Sequence, residues 1–120
     1  MSEHAEQVAL FQALALHPEC KWIHAIPNGG YRSKTTAVNL RNEGVKKGVW
    51  DIFCCYPRSG YHGMYVEMKF GKNKLTEEQE AFRSHCEAQG YKTYVAYSWF
   101  EAYTAIMDYM GLEPKVEKQG

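Results

Sequence analysis

Asp51, Glu67 and Lys69 are the residues of this chain whose types and spacing could do chemistry. They read Asp-x15-Glu-x-Lys, and each end falls in a β-rich run. Two carboxylates on neighbouring strands can hold Mg²⁺ or Mn²⁺ through hard oxygen ligands, with water in the open positions. The backbone carbonyl of Met68, between the two polar side chains, can add a ligand. A cation so placed lowers the pKa of bound water and neutralises charge on a phosphate. A lysine on the same face can orient the attacking water or stabilise charge developing at phosphorus. A Glu-x-Lys triplet is common, and on an exposed hairpin it is a neighbour pair worth only about 0.2–1 kcal/mol. Asp51 on the preceding strand is what makes the three a candidate site.

The local sequence predicts the elements that must position them. Residues 50–56, Trp-Asp-Ile-Phe-Cys-Cys-Tyr, are continuous enough for a central strand. Pro57-Arg58-Ser59-Gly60 makes a turn, and residues 63–70 form the returning strand. Alternation puts Met64, Val66 and Met68 on one face and Tyr65, Glu67 and Lys69 on the other. Glu67 and Lys69 then point the same way, about 7 Å apart along the strand.

Around this hairpin the chain reads as an α/β shell. Residues 3–16 have helical periodicity, with Val8, Phe11, Leu14 and Ala15 on one stripe, Leu10 at its edge and Ser2 as a cap. Residues 22–26 are a short strand, stopped at Pro27-Asn28-Gly29-Gly30. Residues 33–43 form a second helix, with Ala37, Val38 and Leu40 toward the core and Gly44 after its end. Thr76-Glu77-Glu78-Gln79 is a capping box opening a helix over 76–89, and residues 91–97 are a further strand, parallel to the one the helix follows. Ser98-Trp99-Phe100-Glu101 opens a last helix to Met110. The order is αβαββαβα, a small mixed central sheet flanked by helices. One domain covers 1–111, and 112–120 is a frayed polar tail.

The formal net charge is zero, but the charges are segregated. Residues 1–20 hold three acids and no Lys or Arg. Residues 21–74 hold ten Lys or Arg against three acids, two of which are Asp51 and Glu67. Residues 75–120 hold four Lys or Arg against eight acids. A cationic segment around a metal site suits an anionic polymer. No apolar run of about 18 residues is present, so no membrane span is expected. Cys20, Cys54, Cys55 and Cys86 form no CxxC, which argues against a disulfide framework and for a reducing cytosol. Cys54 and Cys55 read as strand packing. His17, His24, His62 and His85 lack zinc spacing and read as core or surface residues.

The finer pattern resembles a known family. It comprises Ile26-Pro27-Asn28-Gly29-Gly30, Arg32, the run from Glu43 to Asp51, the run from His62 to Lys69, and Leu75-Thr76-x-x-Gln79. It is similar to the VRR-NUC (virus-type replication-repair nuclease) branch of the PD-(D/E)XK superfamily, and within it to minimal stand-alone phage and prophage members. The resemblance covers about residues 3–110. One departure is Trp50, where the family usually has proline.

The resemblance implies a restriction-endonuclease-like core and a Mg²⁺- or Mn²⁺-dependent endonuclease with no organic cofactor. It implies hydrolysis of DNA to 5′-phosphate and 3′-hydroxyl ends on branched or duplex DNA, including four-way junctions. A homodimer in the bacterial cytoplasm, serving phage replication, repair or recombination, goes with it. Asp51, Glu67 and the Met68 carbonyl become metal ligands and Lys69 the catalytic lysine. Glu6, preferred to Glu3, becomes the helix carboxylate completing the metal shell. Gln79 matches a family glutamine near the site, although the capping box accounts for it equally well. Asn28, Arg32, Lys46 and Lys47 become phosphate contacts, joined by Lys72 in the basic loop that follows the hairpin. The rival reading is a non-catalytic DNA-binding module that keeps the fold.

Overall fold

The sheet that carries the site is mixed and runs in sequence order. The structure, a computed structural model, describes residues 1–27 and 33–118. Among the described residues the strands are β1 (Ile23–Ala25), β2 (Ile52–Cys54), β3 (Met64–Met68) and β4 (Lys92–Ala96). β1 pairs antiparallel with β2, and β2 with β3. β3 and β4 are parallel, joined by α3 (Glu77–Ala88) as the crossover. The other α-helices are α1 (Glu3–Leu14), α2 (Lys34–Asn42) and α4 (Trp99–Met110), with a short 3-10 turn at Pro18–Cys20 after α1. The order αβαββαβα and the mixed sheet match the expectation from sequence.

The hairpin closes where the turn residues demand it. Arg58 and Tyr61 exchange both backbone hydrogen bonds, N–H to O, at 3.2 and 2.8 Å. Ser59 and Gly60 between them take positive φ, 51° and 84°, the mirror-image turn that suits the twist of paired strands. The register sets Ile52 opposite Val66, Phe53 opposite Tyr65 and Cys54 opposite Met64. β2 is shorter than the 50–56 run, so Trp50 and Asp51 stand just ahead of it.

One sheet face is the core. Ile52, Cys54, Met64, Val66 and Met68 are fully buried there against Leu10 of α1 and Ala102, Tyr103, Ile106 and Met107 of α4. His17 is buried in this layer and hydrogen-bonds the Tyr103 hydroxyl at 2.7 Å, a satisfied core histidine. The opposite face carries Phe53 stacked on Tyr65, with ring centroids 4.5 Å apart, and Phe82 of α3 set edge-on to Tyr65.

Three expectations from sequence are corrected. The buried stripe of α1 is Leu10, Ala13 and Leu14, while Val8 and Ala15 are exposed. The helix is apolar nearly all round from Val8 to Leu16, so periodicity alone does not choose its face. α2 buries none of its residues: Ala37 and Val38 are exposed and Leu40 is half-buried. Its nine residues form without core contact because Ser33 accepts the Thr36 N–H as N-cap and Gly44 ends the helix at φ 102°. The tail past Gly111 is tied down in its first part. Leu112 and Val116 pack on the core, and the Lys115 N–H donates to the Tyr103 hydroxyl at 2.8 Å.

Candidate active site

Asp51, Glu67, Lys69 and Gln79 are joined by hydrogen bonds on the face of the sheet away from α1 and α4. Asp51 N–H donates to Glu67 Oε1 at 3.1 Å, and Met68 N–H donates to Asp51 Oδ2 at 3.0 Å. Each carboxylate therefore grips the other strand's main chain across the hairpin. Lys69 Nζ lies 3.5 Å from Glu67 Oε2 and donates to Gln79 Oε1 at 2.8 Å. Gln79 Nε2 donates to Glu67 Oε2 at 2.9 Å. The amide thus faces the ammonium with its oxygen and the carboxylate with its nitrogen, as charge requires.

Gln79 sits there because α3 begins there. Thr76 Oγ1 accepts Gln79 N–H at 3.2 Å and Gln79 Oε1 accepts Thr76 N–H at 2.9 Å, the full capping box. The two roles left open by the sequence are one: the same oxygen caps the helix and holds the lysine.

Electrostatics make the acid pair hungry for positive charge. Glu67 is 2 % exposed. Burial, and then the Asp51 charge, push its carboxyl up to about 7 against the pull of Lys69. Asp51 is raised mainly by burial and further by the Glu3 charge, while the Met68 amide and Lys69 hold it down. Among the described residues no three His, Cys, Asp or Glu side chains converge into a closed metal cage. A buried and a half-buried carboxylate supply the hard oxygens that suit Mg²⁺ or Mn²⁺, which commonly keep several waters and take only one or two carboxylates.

Glu6, the α1 acid expected to complete the metal shell, meets the start of α4. Glu6 Oε2 accepts the Trp99 N–H at 2.5 Å, so Glu6 caps the first turn of α4. Glu3 is the α1 acid whose charge acts on Asp51. Of the two α1 acids, Glu3 adds negative charge at Asp51, and Glu6 is engaged at the start of α4.

The cations divide in the same way. Lys47 reaches Glu78 in the first turn of α3 at 3.2 Å, with its side chain 82 % exposed. Lys46 is exposed beside it, and Lys72 is exposed in the loop after β3. The Lys46–Lys47 loop is pressed onto α3 because Gly48 has no side chain: a Cβ there would lie 2.6 Å from the Glu78 carbonyl oxygen. Asn28 and Arg32 lie outside the described residues. Trp50 was not anticipated. It is fully buried, and its indole N–H donates to the Gln79 carbonyl at 3.0 Å. The signal was available: a tryptophan beginning a core strand needs a partner for its N–H.

The family model for the VRR-NUC domain matches residues 3–99. A solved "VRR_NUC domain protein" superposes with a TM-score of 0.80 at 23 % identity, covering 95 % of this chain and 92 % of that one. Comparison with curated proteins found no match. The solved neighbour establishes likeness of fold, and the family model, spanning most of the chain including the acid pair, Lys69 and Gln79, establishes membership: the chain belongs to the VRR-NUC domain family, a nuclease-type DNA-processing module.

Proposed function

We propose that the protein is a Mg²⁺- or Mn²⁺-dependent endonuclease that hydrolyses DNA phosphodiesters. The observation that carries this is the joined set Asp51, Glu67, Lys69 and Gln79 on one sheet face. Asp51 and Glu67, with the Met68 carbonyl, would hold the cation, which supplies an acidified water and neutralises phosphate charge. Lys69 orients the attacking water and faces the charge that grows on the non-bridging phosphate oxygens. Gln79 holds the ammonium in that position. Water oxygen bonds to phosphorus, the P–O3′ bond breaks, and the 3′ oxygen leaves with a proton, giving 5′-phosphate and 3′-hydroxyl ends. Lys46, Lys47 and Lys72 bind flanking phosphates.

The substrate we propose is branched DNA, cut by a homodimer that places two sites for paired nicks, in phage replication, repair or recombination in the host cytoplasm. Support comes from the resemblance to stand-alone members and from α2, whose Ala37 and Val38 are exposed. The test is a panel of labelled four-way junction, flap and duplex DNA with Mg²⁺ or Mn²⁺. Cleavage lost in Asp51→Ala and Lys69→Ala protein is expected. Cleavage that persists in either variant, or DNA binding without any cleavage, overturns the proposal.

A further inference from the structure

We infer that Trp50 is a positioning residue for cleavage: its indole N–H holds the main chain of Gln79, and so fixes the side chain that joins Glu67 to Lys69. This rests on the function proposed above. Trp50 is fully buried, and a buried indole N–H needs a partner. It finds one 29 residues away, in the first turn of α3, at 3.0 Å. Gln79 has little freedom left once held there. Its N–H and Oε1 close the capping box, Oε1 also takes Lys69, and Nε2 takes Glu67. The indole of Trp50 adds a hold on the Gln79 carbonyl from a second element.

Two neighbouring contacts give the anchor its direction. Lys47 meets Glu78, and Gly48 touches the Glu78 main chain so closely that a Cβ would not fit. Residues 47–50 therefore run along the first turn of α3 and end next to Asp51. The metal-facing acid and the lysine-holding amide are fixed relative to each other through Trp50. The resemblance that identifies the family usually puts proline here. Proline has no side-chain donor and could not form this anchor.

The experiment compares Trp50→Phe, Gln79→Ala and the double variant with wild type. It reads kcat and KM on junction DNA, and the Gln79 side-chain amide resonances in metal-free protein. With Trp50→Phe, kcat falls by about tenfold, the order of one net hydrogen bond, while KM is unchanged. In the Gln79→Ala background the same change costs no more than about twofold, because the pathway is already cut. The Gln79 amide resonances, distinct from those of exposed glutamines in wild type, move toward them in Trp50→Phe. Wild-type kcat in Trp50→Phe, an equal fold loss in both backgrounds, or an unmoved Gln79 amide overturns the inference. If Trp50→Phe does not fold, benzothienylalanine at position 50 keeps the ring shape, lacks the N–H and carries the same test. If wild-type protein cuts no DNA, the proposed function fails, and the amide resonances alone decide whether Trp50 holds Gln79.

Discussion

Asp51 and Glu67 hold each other's strands: the Asp51 N–H enters the Glu67 carboxylate, while Asp51 itself receives the amide of Met68, the residue after Glu67. The two acids therefore cannot be moved apart without opening the hairpin, and they face each other at a cost. Both are raised by burial, and Glu67 is raised further by Asp51.

That cost sets the pH dependence of the metal-free protein. Glu67 in the folded state titrates at about 7, above its ordinary 4.5. The folded state holds that proton more tightly than the unfolded chain, so stability falls as pH rises between those values. The contribution is fully present below pH 4.5 and lost once pH passes 7. Asp51, also raised, acts in the same direction, and Lys69 opposes both. Thermal melts in chelator are expected to show a lower Tm at about pH 8 than at about pH 5.5, on either side of the folded-state value. Glu67→Gln is expected to flatten that slope, and a slope unchanged in the variant counts against the account.

The two α1 acids are expected to separate in experiment. Glu6→Ala removes the acceptor for the Trp99 N–H and is expected to cost about 0.5–2 kcal/mol in urea unfolding, the scale of a missing helix cap. Glu3→Ala, at an exposed position, is expected to leave unfolding unchanged and to weaken Mn²⁺ binding in calorimetry. The opposite pattern restores Glu6 as the helix ligand.

Gly48 cannot carry a Cβ without a shift of the backbone around it. It has φ 98°, and the added carbon would meet the Glu78 main chain at 2.6 Å. Gly48→Ala is expected to destabilise by about 1–3 kcal/mol in denaturant titration. Gly44→Ala, with open space around it, is the control and is expected to cost less.

The lysines proposed as phosphate contacts are expected to show it in the salt dependence of binding. Replacing Lys46, Lys47 and Lys72 by alanine is expected to weaken DNA binding on every structure alike. The slope of log K against log salt should fall by about 0.9 for each duplex phosphate that is no longer neutralised. Fluorescence anisotropy over a salt series measures both. Lys47 gives up little elsewhere, since its pairing with Glu78 is solvent-exposed.

The hairpin was readable from sequence because its signals are local. β-rich runs, turn residues at 57–60 and a period of two put Glu67 and Lys69 on one face, where they lie. The capping box and the parallel β4 were readable for the same reason. The face of α1 was not, because apolar residues surround it and only the position of α4 decides. Nor was the division between Glu3 and Glu6, three residues apart on one helix: which acid caps α4 depends on Trp99, 93 residues further on. α2 has a plausible apolar stripe, and nothing in that stripe reveals that the core is already filled by α1 and α4. Trp50 could be expected to need a partner, but its identity, a main-chain carbonyl of α3, is a product of the whole fold.

The cap that Glu6 places on α4 also orders events in time. The N-terminal helix emerges first during synthesis. It finds its closing partner only when the last helix has been made. β3, with Glu67, likewise lacks its parallel neighbour until residues 92–96 exist. A chain that stops before β4 and α4 can carry Asp51, Glu67 and Lys69 without the neighbours that hold them in shape.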